Sequence, residues 1–389
     1  IRGLAVLGIL FANIQSWSGY KYITYEQIAA LPYANLDSLF YSLHLWIVDG
    51  KFYAIFSMLF GAGFGLQYLK NRERMDSFLP VYRRRLSLLL LFGAIHAFFW
   101  SGDILTLYAL LAFLMVLMRD LPMRRLLYVA IALLAFFAIP QCLVLYFGPE
   151  MPPASELAHK VYPDLSPQQV VSSLGSDSWS EVFAVNLHNL YWRWLDFLPN
   201  GRISRVLGFF VLGFYLARTG YFIHQVNKVR WILVWGLAGV SLTALAFGMQ
   251  ANISRWATGE MDLIAKLVLV AGQATLALAY MSVVGVLYEN SVGRIVLHPL
   301  TLIGRMAFTN YLMQSVIGIT IFYGVGLGNV GTMGLAQLWL LALVIYAGQV
   351  LFSSLWLQFF RQGPVEWLWV CLTKKRFTAN RKFLLPSVQ

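Results

Sequence analysis

Apolar residues in this chain run without period-two alternation over stretches long enough to cross a bilayer. They fall at 3–18, 38–69, 86–101, 103–118, 125–147, 204–222, 230–249, 262–288, 302–325 and 335–360. A membrane span needs roughly 20 apolar residues in a row, and in hydrocarbon every backbone N–H and C=O has to be satisfied within the chain. Continuous runs of this kind select helices over the alternating strands of a barrel. The pattern predicts an all-α polytopic membrane protein of about ten transmembrane helices. The second run has room for a short interfacial helix (38–48) before a span that starts near Lys51.

Composition narrows the class. Of 389 residues 59% are hydrophobic and 12% charged, against about 45–50% and 25% in soluble domains. A larger core would still need a charged shell, so the excess apolar surface faces something other than water. Cys142 and Cys371 lie far apart in or beside apolar runs, with no metal spacing and no disulfide framework, and are expected to be structural thiols. The chain opens at Ile1-Arg2-Gly3 on the lip of an apolar run, which reads as a natural start that is missing rather than a cleaved signal peptide.

A net charge of +12 would point to nucleic acid in a soluble protein, but here the basic residues sit in short clusters between the apolar runs. With ten spans, 21 of the 29 Lys and Arg fall on one side, 6 on the other, and Lys51 and Lys266 lie within spans. The positive-inside rule then predicts both ends in the cytoplasm and no nucleic-acid partner. The chain divides into an N-terminal bundle of about five spans (1–147), an outer connection (148–203) and a C-terminal half of about five spans with a basic tail (204–389). The connection carries an amphipathic stretch near Glu181–Phe197, expected to lie in the interface with Trp192 and Trp194 at headgroup level, or to form a lid.

Polar side chains at membrane depth are costly and each is a candidate site. Asp49 and Lys51 enter a span ahead of Gly61 and Gly63, either as an ion pair or with Lys51 holding an anionic substrate group. His96 lies one turn before the end of its span and Asp103 in the turn that follows; a carboxylate behind an imidazole suits a general base. The alternative is that Asp103 only caps the next helix. Asn310 and Gln314, four apart, share a helix face that Thr309 and Ser315 extend, lining a cavity or bonding between helices. Glu366, with Trp367 and Trp369 after Gly363-Pro364, reads as an interfacial anchor, and His44 is a secondary candidate beside Asp49. No histidine has metal-ligand spacing, and no phosphate loop or nucleophile elbow is present.

Five blocks carry a family resemblance: IRGLAVLGILFANI (1–14), DGKFYAIFSMLFGAGFG (49–65), RRRLSLLLLFGAIHAFFWSGDILTLYAL (83–110), GRMAFTNYLMQS (304–315) and GPVEWLWVCLT (363–373). They resemble, in order, the signature blocks of the YeiB-like bacterial inner-membrane proteins, whose C-terminal part is a domain of unknown function, number 418. The resemblance implies kinship with transmembrane acyltransferases and a place in the bacterial inner membrane. Such enzymes take acyl-CoA, as co-substrate and not as a resident cofactor, on the cytoplasmic side. They acylate a saccharide or lipid-linked acceptor on the other. Carried onto this chain, the family's motifs single out Arg2, Asn13, His96, Trp100 and Asp103, with His44 as the other histidine that the kinship would favour. His96 and Asp103 are the expected catalytic pair. Arg2, Asn13, Asp49, Lys51, Trp100, Arg305, Asn310 and Gln314 are the expected substrate contacts. The alternative function is transport of a small solute or lipid-linked intermediate, although the two halves show no inverted repeat of polar or Gly/Pro positions.

Overall fold

A computed structural model describes residues 1–147, 164–197, 200–251 and 259–382. Regular structure among the described residues is helical, apart from one isolated antiparallel bridge between Phe360 and Arg381. Among the described residues four helical stretches are long and apolar enough to cross a membrane: Ala34–Lys70, Val229–Ala251, Glu260–Glu289 and Leu335–Phe359. They mark a membrane protein. Val229–Ala251 turns Leu233, Leu237 and Val240 outward, an apolar surface suited to lipid.

Most of the other predicted runs form shorter or broken helices. Arg2–Trp17, Leu105–Leu117 and Ala307–Phe322 are single helices of 16, 13 and 16 residues. The run at 125–147 breaks into Met123–Ala135 and Ala138–Phe147. Pro140 supplies the reason: it has no N–H for the carbonyl of Phe136 four residues back, and its ring clashes there. Met75–Phe99 begins about a turn and a half after Lys70 and carries Arg83, Arg84 and Arg85 inside the helix rather than ahead of it. Hydropathy places the start too late because Lys and Arg are good helix formers.

The long second run folds as Ala34–Leu43, a π-helical turn His44–Val48, and Lys51–Lys70. Gly50 makes the corner at φ +77, where a Cβ would lie 2.0 Å from the Gln273 side chain, so the position takes only glycine. Lys51–Lys70 packs along Arg202–Arg218 through small residues: Gly61 faces the Phe210 carbonyl, Gly65 faces Ala217, and Gly213 faces the Met58 carbonyl. Arg2–Trp17 runs through the middle of the protein against His298–Arg305, Ala307–Phe322 and Leu335–Phe359. The amphipathic stretch is the helix Trp179–Phe197, which stacks Phe183 on Phe98 and so covers the end of Met75–Phe99.

Candidate functional site

His96 sits in the last turn of Met75–Phe99, and Trp100 leaves the helix in extended conformation. The chain turns through Ser101-Gly102-Asp103 into Leu105–Leu117. Gly102 is required there, because a Cβ would meet the Trp100 ring at 2.0 Å. Asp103 accepts from the backbone N–H of Leu105 (Oδ1, 3.1 Å) and of Thr106 (Oδ2, 2.8 Å), capping that helix. The same Oδ1 lies 2.7 Å from His96 Nδ1. A carboxylate only accepts, so Nδ1 carries the proton and Nε2 keeps its lone pair. Nε2 lies 2.8 Å from Ser315 Oγ, whose hydroxyl then donates to it.

Asp103, His96 and Ser315 thus form a carboxylate–imidazole–hydroxyl chain, with both imidazole nitrogens in the roles that a general base needs. All three are buried, at 4%, 8% and 2% exposure, which strengthens each bond by excluding water. The Tyr311 ring stands 5.3 Å from the imidazole, the Trp100 ring 5.6 Å, and Trp17 lies 4.7 Å from Trp100.

Two cavities reach neighbours of this chain, although His96, Asp103 and Ser315 themselves line neither. One of about 340 Å³ opens among the basic clusters, where Arg2, Arg85 and Arg305 line it, and ends inside at Leu105, Tyr108 and Tyr311. Its walls between are apolar (Phe56, Leu59, Phe60, Leu86, Leu89). A second, of about 110 Å³, lies at the opposite end among Asn13, Asp49, Gly102, Tyr108, Arg193 and Arg202. Tyr108 lines both, its hydroxyl held 2.6 Å from Ser57 Oγ, and it separates them. The described residues contain no group of His, Cys, Asp or Glu that would hold a metal ion.

Residues 216–376 match the family described as protein of unknown function (DUF418). The chain is 32% identical over 390 residues to the uncharacterized protein YxaH of Bacillus subtilis (strain 168), covering 95% of this chain and 91% of that protein. The chain belongs to this YeiB-like family. YeiB of Escherichia coli (strain K12), also described as uncharacterized, is 29% identical over 403 residues, covering 96% of this chain and 94% of that protein. No solved structure matches.

In this family member the expected residues divide into three groups. His96 and Asp103 meet, and Asp103 fills both of its candidate roles at once, as cap and as imidazole partner. Arg2 and Arg305 line the larger cavity, and Asn13 and Asp49 the smaller. Glu366 also lines the larger cavity; it accepts from Phe308 N–H (2.7 Å), Thr309 N–H (3.0 Å) and the Thr309 hydroxyl, so it caps Ala307–Phe322 and is more than an anchor.

The third group, like His96 and Asp103, lines neither cavity. Lys51 is fully buried and donates from Nζ to the Leu45 carbonyl at 2.5 Å, with no ion pair to Asp49. Leu45 is the second residue of the π-helical turn, and the ammonium satisfies its carbonyl from beyond the end of that turn. Asn310 donates to Ser353 Oγ (3.0 Å), Gln314 to Gln349 Oε1 (3.0 Å), and Gln349 to the Asn310 carbonyl (2.8 Å), so the pair ties helices together instead of facing substrate. His44 pairs with Gln15 beside the Trp339 ring, remote from His96. Trp100 packs as a wall, fully buried. Cys371 is buried and Cys142 half-buried, and both are free thiols.

Ser315, Tyr311, Arg193 and Arg202 take places at the pair or in the cavity walls that the sequence did not reveal. Ser315 is 219 residues from His96, and nothing local marks their pairing. Arg193 and Arg202 showed one usable signal: they are rare cations on the side where few occur.

Proposed function

We propose that this protein is a membrane-embedded acyltransferase of ten spans, with both ends in the cytoplasm. It moves an acyl group from a cytoplasmic acyl-CoA donor to a hydroxyl or amine acceptor at the outer face of the inner membrane. The carrying observation is the buried Asp103–His96–Ser315 chain, whose neighbour Tyr311 lines the larger cavity and whose turn residues Gly102 and Ile104 line the smaller. The larger cavity suits the donor: its arginines match CoA phosphates at the mouth, and its apolar walls suit a pantetheine arm and acyl chain.

In the transfer, His96 Nε2 takes the proton of the acceptor's O–H or N–H. The acceptor atom bonds the acyl carbon, the C–S bond breaks, and the CoA thiolate recovers that proton from the imidazolium. Asp103 holds the tautomer and stabilises the charged ring. Ser315 Oγ–H marks the place that the acceptor group takes at Nε2. Tyr108 and Tyr311 are the side chains that move aside for the reactants. Two cavities divided by Tyr108 also describe a path for a transported solute, and transport would leave the thioester intact.

The test uses the full chain in proteoliposomes with radiolabelled acyl-CoA of several chain lengths. Thiol release with label passing to an acceptor is expected, and an intact thioester with solute movement would select the transporter. Replacing Arg2 and Arg305 together by Gln should raise the KM for acyl-CoA about tenfold with kcat kept, ~1.4 kcal/mol of uniform binding. An unchanged KM removes the donor from this cavity.

The topology has its own check in a background with both native cysteines replaced by Ser. Ser172→Cys should react with an impermeant maleimide in intact cells. Lys228→Cys, equally exposed, should react only after permeabilisation. The reverse pattern inverts the orientation.

A further inference from the structure

Six basic residues belong to the sparsely charged side, and three of them converge. Arg193 and Arg202 line the smaller cavity. Arg202 and Arg205 line a third, of about 320 Å³, with Asp196, Asn200 and Lys266. Arg202 belongs to both walls, so the three guanidiniums form one strip leading from the surface toward Tyr108.

Among the described residues none of the three arginines makes an ion pair with a carboxylate. Arg193 donates to the Ser101 carbonyl at 2.8 Å and covers the Phe197 ring. Arg202 lies 4.1 Å over the Tyr53 ring, and its Nε is buried with no partner. Arg205 donates to the Asn200 carbonyl at 2.8 Å. The carboxylates nearby are Asp262, taken by Lys266 at 2.7 Å, Asp196, which accepts from Asn200, Asp49, which lines the smaller cavity, and Asp103, which acts on Arg193 through space. Burial and the adjacent Arg202 lower the Arg193 guanidinium to about 10, the mark of like charges held together out of water.

Arginine forks match the paired oxygens of a phosphate, and an anion between them relieves the repulsion. We infer that the strip Arg193–Arg202–Arg205 binds a phosphoryl or pyrophosphoryl group of the acceptor, and so places the acceptor's nucleophile at the smaller cavity. This deepens the acyltransfer reading and rests on it for the word acceptor; the binding itself does not depend on transfer. The shared chemistry is a phosphate ester, borne by a bilayer lipid headgroup or by a soluble phosphoryl compound.

The full chain, purified in a maltoside detergent that carries no phosphate, is titrated with inorganic pyrophosphate by calorimetry. A parallel sample is mixed with phosphatidylglycerol, and retained lipid is counted by native mass spectrometry. Arg202→Gln with Arg205→Gln should weaken whichever binds by about tenfold or more, while Lys228→Gln stays within about twofold and Arg202→Lys retains part of the binding. Loss of phosphatidylglycerol alone identifies a headgroup site, and loss of pyrophosphate binding identifies a soluble phosphoryl site. The wild type supplies an arm independent of variant folding: its binding should fall steeply with added salt. Equal binding by wild type and the double variant, no binding by wild type, or salt-independent binding overturns the inference. CoA release without phosphate binding removes this inference alone, and phosphate binding without CoA release removes the transfer reading alone.

Discussion

His96→Ala should lower acyl-CoA-dependent transfer about a thousandfold, the scale of losing a positioned general base. Asp103→Asn should come close to it, for a reason that geometry makes specific. An asparagine oxygen in the place of Oδ2 still accepts from the Thr106 N–H, so half of the cap survives, and only the Leu105 N–H loses its acceptor. Its amide nitrogen, turned to His96, donates where the carboxylate accepted, and the imidazole proton moves to Nε2. The ring then presents a donor at the position where a base is needed. Thiol release from reconstituted protein, read beside the thermal unfolding midpoint, checks this. An Asp103→Asn protein that folds and turns over within about threefold of wild type would reduce Asp103 to a cap and remove the acid–base role from the chain.

Gly61→Val should be the most damaging single change to the fold. Its Cβ would lie 1.9 Å from the Phe210 carbonyl oxygen and 2.7 Å from the carbonyl carbon, backbone atoms that cannot turn away. Lys51–Lys70 and Arg202–Arg218 would have to separate along the seam that Gly61, Gly65 and Gly213 keep close. In lipid that seam is held by packing, since no hydrophobic gain drives helix against helix. The cost is at least ~3 kcal/mol, at the upper end for overpacking. Gly63→Ala is the control, with nothing within 4 Å of its Cβ. It should unfold at or slightly above the wild-type temperature, since alanine is the better helix former. Fluorescence-detected gel filtration and thermal unfolding in detergent read both variants. Equal behaviour of the two would mean that the seam tolerates separation.

Part of the site was legible because it is local. His96 and Asp103 are seven residues apart across a helix end and a three-residue turn, so helical spacing with a turn signal brings them together. Glu366 was visible as an acid at an apolar boundary, but its role was not, since its partners Phe308 and Thr309 lie 58 and 57 residues back. Lys51 was misread for a physical reason: a buried ammonium needs an acceptor, and the Leu45 carbonyl becomes one only when the backbone takes a π-helical turn. Asn310 and Gln314 share a face as expected, and the residues opposite that face, Ser353 and Gln349, come from a helix whose placement the pattern does not encode.

The sequence alone determined the class of this protein, because apolar run length and backbone hydrogen-bond satisfaction are properties of a segment, and in lipid they leave only the helix. It also carried the family, spread over five blocks, and the His96–Asp103 pair. Tertiary structure alone decided which helices face one another. That choice set Ser315 at the free nitrogen of His96, Tyr108 between two cavities, and Arg202 in the wall of two cavities with Arg193 beside it. These pairings depend on close approach at glycine seams and on which buried polar group finds a partner. Both are sums over residues far apart in the chain, and no local pattern holds them.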